Sequence, residues 1–188
     1  AEGDKQNGGA ETISSLERNL SLYLLLYLIF SAYQFGFGLS SATLYPADQE
    51  AMNWVSQNTP PGARFLVLTG TTSVSCDSVL EWFPALTGRQ SVYTVQGTEW
   101  TQGENFTPYV RATYDVQECL LASDVSCLDS EIRPSEYDYI YLSKALRVNN
   151  CRPVDIDITF PYFLEQMRSN ERVETVYETD GVIIYKNR

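Results

Sequence analysis

The stretch Phe65-Leu66-Val67-Leu68-Thr69, followed by Gly70-Thr71-Thr72-Ser73-Val74-Ser75 and then by Asp77-Ser78-Val79-Leu80-Glu81, decides the fold. A short continuous apolar run reads as a strand covered on both faces, and the small residues after it read as a loop. Asp77 or Ser78 then caps a helix predicted to run to about residue 86. A strand that ends in a small-residue loop and feeds a helix is the opening half of a β-α-β unit. Downstream, 91–95 reads as a second strand, Thr107-Pro108 starts a helix to about 121, and 137–142 is a third strand. After a segment through Cys151 comes a helix over 158–169, and then 173–178 and 182–186 alternate around Asp180-Gly181, a hairpin signal. Upstream, a helix over 48–57 with Ala51, Trp54 and Val55 on one face stops at Pro60-Pro61-Gly62. The order predicts an α/β fold: a mainly parallel open sheet with flanking helices and a C-terminal β-hairpin, preceded by one long hydrophobic helix. In such sheets the usable crevice lies outside the carboxyl ends of the strands, here 70–77, 96–105 and 143–151.

The preceding segment is of another kind. From Asn19 to Ala47 there is no Asp, Glu, Lys or Arg, and Leu20 to Phe30 is apolar except for Ser21. At about 1.5 Å rise per residue, 20–42 is long enough as a helix to cross a hydrocarbon core of about 30 Å. Asn19, Tyr23, Tyr27, Ser31 and Gln34 fall on one weakly polar stripe, which in a bilayer would face neighbouring helices of the same protein. Two other readings compete. A buried core helix is also apolar on every side, and a signal peptide would be cleaved near Ser40, although Asp4, Glu11 and Glu17 carry the wrong charge for one. The expected organisation is a polar segment over 1–18, a transmembrane helix and linker over 19–44, and an extracytoplasmic α/β domain over 45–188. Residue 1 is Ala rather than Met, which reads as a piece of a larger membrane protein.

Charge and composition exclude several functions. The 188 residues carry 24 acids against 13 bases, a net charge of -11, and 48–188 alone hold 20 acids against 11 bases. Nucleic acid is therefore not an expected partner, because binding phosphates requires a basic face. There is no histidine, which removes Ser-His-Asp and Cys-His nucleophiles, HExxH zinc sites and the commonest general base. No metal site and no cofactor are expected. Cys76, Cys119, Cys127 and Cys151 contain no CxxC pair, and an even count beside a membrane segment fits disulfides in an oxidising compartment. Cys119 and Cys127 lie eight apart, the first at the end of a predicted helix and the second in the loop after it. A loop that short is worth about 2.5 kcal/mol when closed. Cys76 and Cys151 both fall on the crevice rim, so their pairing would pin its wall if the first and third strands are neighbours. The competing reading of all four is a set of buried thiols.

Two segments carry the most chemical information: Asp77-Ser78-Val79-Leu80-Glu81-Trp82-Phe83-Pro84-Ala85-Leu86-Thr87-Gly88-Arg89 and Val95-Gln96-Gly97-Thr98-Glu99-Trp100. With Tyr45-Pro46-Ala47-Asp48, Ala51-Met52-Asn53-Trp54, Asn58-Thr59-Pro60 and Tyr177-Glu178-Thr179-Asp180-Gly181-Val182, they resemble the extracytoplasmic C-terminal region of bacterial multi-spanning membrane glycosyltransferases of the C-type superfamily. The resemblance covers 45–188, and the Glu81 to Arg89 run is its most specific part. It implies an accessory or acceptor-side domain of an enzyme that transfers a sugar from a polyprenyl-phosphate donor to a glycan acceptor outside the membrane. The acid such enzymes use lies in an early loop with no counterpart in this chain, so no catalytic residue is assigned.

The residues taken by themselves suggest a polar recognition site. Asp77, Glu81, Arg89, Gln96 and Glu99 offer hydrogen-bonding groups, and Trp82 and Trp100 flat apolar faces, the mixture a ligand cleft needs. The bland reading makes Trp82, Phe83 and Leu86 the buried face of a helix with Glu81 and Arg89 outside it. A stand-alone membrane-anchored glycan- or protein-binding module is the alternative of a different class. A glycosidase using Glu81 and Glu99 would need them about 5 Å apart. Gly70-Thr71-Thr72-Ser73 lacks a Walker lysine, and the acidic loops lack EF-hand spacing.

Overall fold

The computed structural model describes residues 8–40, 44–74, 77–95, 97–144 and 160–188, with the side chains of the first segment described over 15–34. The chain divides into two compact units, Ala1–Thr43 and Leu44–Arg188.

Unit 1 holds helix α1, Gly8–Ser40. None of its described side chains is buried, and Leu20, Tyr23, Leu26, Leu28 and Phe30 are each more than half exposed. Among the described residues, however, no helix is long and apolar enough to cross a membrane. The spanning helix expected over 20–42 is therefore not shown. Of the expected span over 20–42, the side chains of 35–42 lie outside the described residues.

Unit 2 is a sheet between two helical layers. Its elements run α2 (Pro46–Asn58), β1 (Arg64–Leu68), α3 (Ser78–Thr87), β2 (Gln90–Ser91), α4 (Glu99–Gln102), α5 (Phe106–Leu121), α6 (Val125–Glu131), β3 (Tyr139–Ser143), α7 (Pro161–Arg168), β4 (Val173–Glu178) and β5 (Val182–Asn187). The strand order is β2-β1-β3-β5-β4. β1 pairs in parallel with β2 and β3, whereas β5 is antiparallel to both β3 and β4. The α/β class holds, and the first and third strands are neighbours. The expected predominance of parallel pairing is corrected to a mixed sheet, because the C-terminal hairpin inserts β5 beside β3 rather than adding at a parallel edge.

Strict alternation along the central strands supplies both cores. Leu66, Leu68, Ile140, Leu142, Ile183 and Tyr185 face α5, α6 and α7, with Leu120, Phe163 and Met167. Phe65, Val67, Tyr139, Tyr141, Val182 and Ile184 face α2 and α3, with Met52, Val55, Leu80 and Phe83. Phe65 stacks on Tyr139 at a centroid distance of 4.8 Å, and Phe83 meets the edge of Tyr141 at 5.3 Å.

The strand predicted over 91–95 is cut to Gln90–Ser91. After Val92 donates to the Phe65 carbonyl at 2.8 Å, the β1 edge is taken over by a side chain, Gln117. The short helices α4 and α6 lie where the sequence was read as loop. Cys127 accordingly sits on α6, not in a loop, and its disulfide with Cys119 spans a Cα separation of 5.4 Å.

Candidate ligand-binding crevice

The carboxyl ends of β1 and β3 meet the amino ends of α2 and α3 on one rim of unit 2. Asp77 organises it. Its Oδ1 accepts from the amides of Val79 (2.8 Å) and Leu80 (3.1 Å), capping α3, and its Oδ2 accepts from the Thr69 hydroxyl at 2.5 Å. The side chain is 3% exposed. Burial pushes its carboxyl above the ordinary range, opposed by the Thr69 hydroxyl and the two amides and helped by the negative charge of Asp48. Asp48, fully buried in the first turn of α2, accepts from the Tyr141 hydroxyl at 2.8 Å. Thr69 in turn is held through its amide by the Gln117 carbonyl oxygen at 2.9 Å.

The sequence-selected residues do not converge on this rim. Arg89 stands at the other end of α3, a helix of ten residues and so about 15 Å long. There its guanidinium donates to the Thr59 hydroxyl (2.9 Å), the Thr59 carbonyl (2.6 Å) and the Ser56 carbonyl (2.8 Å), clamping the end of α2. Glu81 is in the first turn of α3, half-buried. Glu99 and Trp100 lie on α4, fully on the surface, with Trp100 86% exposed. Gln96, Cys76 and Cys151 lie outside the described residues.

The motif run splits by face. Phe83 is completely buried between β1 and β3, as the bland reading expects, but Trp82 and Leu86 are 43% and 48% exposed. One residue of offset on a helix turns a side chain by about 100°, so Phe83 and Trp82 cannot share a face with equal burial. Arg89 is half-buried rather than solvated, and its hydrogen bonds are structural.

Among solved structures, the C-terminal globular domain of oligosaccharyltransferase from Archaeoglobus fulgidus is similar to this chain at a TM-score of 0.47 and 12% identity, over 78% of this chain and 100% of that one. No family model and no curated protein matches the chain.

Three further residues matter to the rim. Gln117 lies on the buried stripe Thr113, Val116, Gln117 and Leu120 of α5, and an amide on an otherwise covered face signals a backbone partner. Asp48 gave a weaker signal, since an acid in the first turn of a helix is ordinarily exposed. Gly70 has φ +72°, and a Cβ there would lie 2.6 Å from the Phe160 ring. Phe160 thus closes over the loop after β1, and its amide bonds to the Lys144 carbonyl at 3.4 Å. At the hairpin end of the rim, Glu178 accepts from Lys144 (2.6 Å) and Arg168 (2.5 Å), and these contacts hold its carboxyl below the ordinary range. Among the described residues no group of three or more His, Cys, Asp or Glu is placed to hold a metal ion. The buried acids of the rim, Asp77 and Asp48, serve the fold.

Proposed function

We propose that this chain is a membrane-held, extracytoplasmic accessory domain of a lipid-linked-sugar-dependent glycosyltransferase, serving the acceptor side and leaving bond making to parts of the enzyme beyond this chain. The observation that carries the accessory role is the fate of the motif residues. Asp77 caps α3 and holds Thr69, while Arg89 clamps α2 about 15 Å away, so this acid and this base are spent on the scaffold. The membrane attachment is supported by α1, whose consecutive residues Tyr23 to Phe30 are exposed on all sides; a helix apolar all round needs lipid or other helices as cover. The extracytoplasmic side is supported by the Cys119–Cys127 disulfide, a bond that persists in oxidising compartments. The partners in this reading are the bilayer, other transmembrane helices of the same enzyme, the polyprenyl-phosphate sugar and the glycan acceptor.

One observation favours the second reading, an anchored glycan- or protein-binding module. Trp100 presents nearly its whole indole to solvent, a costly arrangement in a domain with no partner. The two readings part on one assay. A labelled lipid-linked sugar given to the full-length gene product is transferred under the first reading and ignored under the second.

A further inference from the structure

We propose that the recess at the amino-end rim of the unit 2 sheet binds the phosphate group of a small phosphate monoester, with Arg64 and Lys186 as its cationic contacts. The site lies wholly within unit 2 and is independent of the glycosyltransferase reading.

The rim is where β1 and β3 begin and β5 ends. Phe65, Tyr139 and Lys186 stand in one row across these three neighbouring strands, so Arg64 and Lys186 flank the start of β3 with about 10 Å between their backbones. Both line an open recess of about 570 Å³, together with Ser135, Tyr137, Asp138 and Arg188. Small-ligand sites run from about 300 to 1,000 Å³, so the recess has room for the alcohol half of an ester beside its phosphate.

Charge singles this recess out. Residues 48–188 hold 20 acids against 11 bases, whereas the side chains lining the recess include three bases and one acid. The acid is already engaged. Asp138 accepts from Arg64 Nη2 at 3.1 Å, from its Nε at 3.3 Å and from its amide at 2.9 Å. This fork, with a further bond from Nη2 to the Ser135 carbonyl at 3.0 Å, fixes the guanidinium and leaves Nη1 without a partner among the described residues. A cation already held by its neighbours loses little freedom on meeting an anion. Lys186 is exposed and makes no side-chain hydrogen bond or ion pair among the described residues; Glu174, opposite it on β4, does not reach ion-pair distance. The next acid along, Glu136, is taken by Arg133 at 2.7 Å. The Arg188 guanidinium donates to the Glu171 carbonyl at 3.2 Å and adds to the positive balance. A fixed guanidinium and a flexible ammonium opening onto one cavity suit a phosphate, which accepts from both in several directions. Three cations around one recess hold a single phosphate; they do not make the extended basic face that a nucleic-acid backbone requires.

The test is calorimetric titration of the full chain in detergent, at constant ionic strength, with inorganic phosphate and with glycerol 1-phosphate as probes. The expected result is one saturable site per chain, with glycerol 1-phosphate bound at least as tightly as inorganic phosphate. Lys186→Gln should raise the Kd about fivefold, Lys186→Arg should restore it to within about twofold, and Arg111→Gln, which removes an exposed cation on α5, should leave it within about twofold. Lys186 is exposed near the end of β5, so each variant should keep the wild-type melting curve. No saturable binding of either probe up to about 10 mM would overturn the site. Equal weakening by Arg111→Gln and Lys186→Gln would overturn it too, since a diffuse field would then account for the binding. Tighter binding of inorganic phosphate than of the ester would overturn the ligand class.

Discussion

The carboxamide of Gln117 holds the backbone of Thr69 as a neighbouring strand would. Its oxygen accepts from the amides of Thr69 and Gly70, both at 2.9 Å, and its nitrogen donates to the Val67 carbonyl at 2.8 Å. Because β2 ends at Ser91, these three groups, one in β1 and two just after it, have no strand to pair with on that side, and α5 supplies one side chain in its place. Gln117→Leu leaves all three buried and unpaired, at about 1–3 kcal/mol for each group that finds no water. We expect a loss of about 3 kcal/mol in urea unfolding. A loss under 0.5 kcal/mol would mean that the edge is held by other contacts.

Gly70→Ala should destabilise for two separable reasons. A side chain at φ +72° costs about 1–2 kcal/mol, and its Cβ would sit 2.6 Å from the Phe160 ring. The double variant with Phe160→Leu relieves only the second. Thermal melts should therefore show partial recovery in the double variant, and full additivity of the two losses would contradict the contact.

The Cys119–Cys127 bond should survive peptide mapping without reductant and should contribute about 2.5 kcal/mol relative to a Cys119→Ala, Cys127→Ala double variant. Free thiols at both positions in protein purified from its native compartment would remove the argument for an oxidising location.

Two carboxyls should pull the acid stability of the chain in opposite directions. Glu178 is held below its ordinary range by Lys144 and Arg168, so its contribution is present above the unfolded value near 4.3 and is lost as pH falls through the lower folded value. Asp77 is raised by burial, so its protonated form favours the folded state, and stability falls as pH rises from about 3.9 through the folded value. Glu178→Gln should flatten the loss at low pH. Asp77→Asn should remove the decline on the rising side while keeping the cap on Val79 and Leu80. Unfolding curves from pH 3 to pH 8 that are unchanged in shape by either substitution would contradict these assignments.

Much of the fold was legible because burial on both faces leaves continuous apolar runs, as in Phe65 to Leu68 and Tyr139 to Leu142. Asp180-Gly181 marked the hairpin, and Asp77 marked its helix, through local chemistry alone. What sequence could not supply was the place of that hairpin in the sheet, since inserting β5 beside β3 is a tertiary choice. It also could not tell Trp82 from Phe83, which differ only in the face they occupy. The strand predicted over 91–95 is cut short because Gln117, twenty-two residues beyond its predicted end, does the pairing instead. The six candidate ligand-site residues stand out in the sequence by their chemistry, and chemistry does not distinguish a cap such as Asp77 or a clamp such as Arg89 from a ligand contact.

Sugar transfer measured side by side for the full-length gene product and for the isolated unit 44–188, with a labelled polyprenyl-phosphate sugar as donor, tests the accessory role most directly. The account predicts transfer by the full-length protein, weakened in acceptor use by Trp100→Ala or Glu99→Gln, and none by the isolated unit although it keeps its fold. Transfer by the isolated unit, abolished by Glu81→Gln or Glu99→Gln with the fold intact, would contradict it.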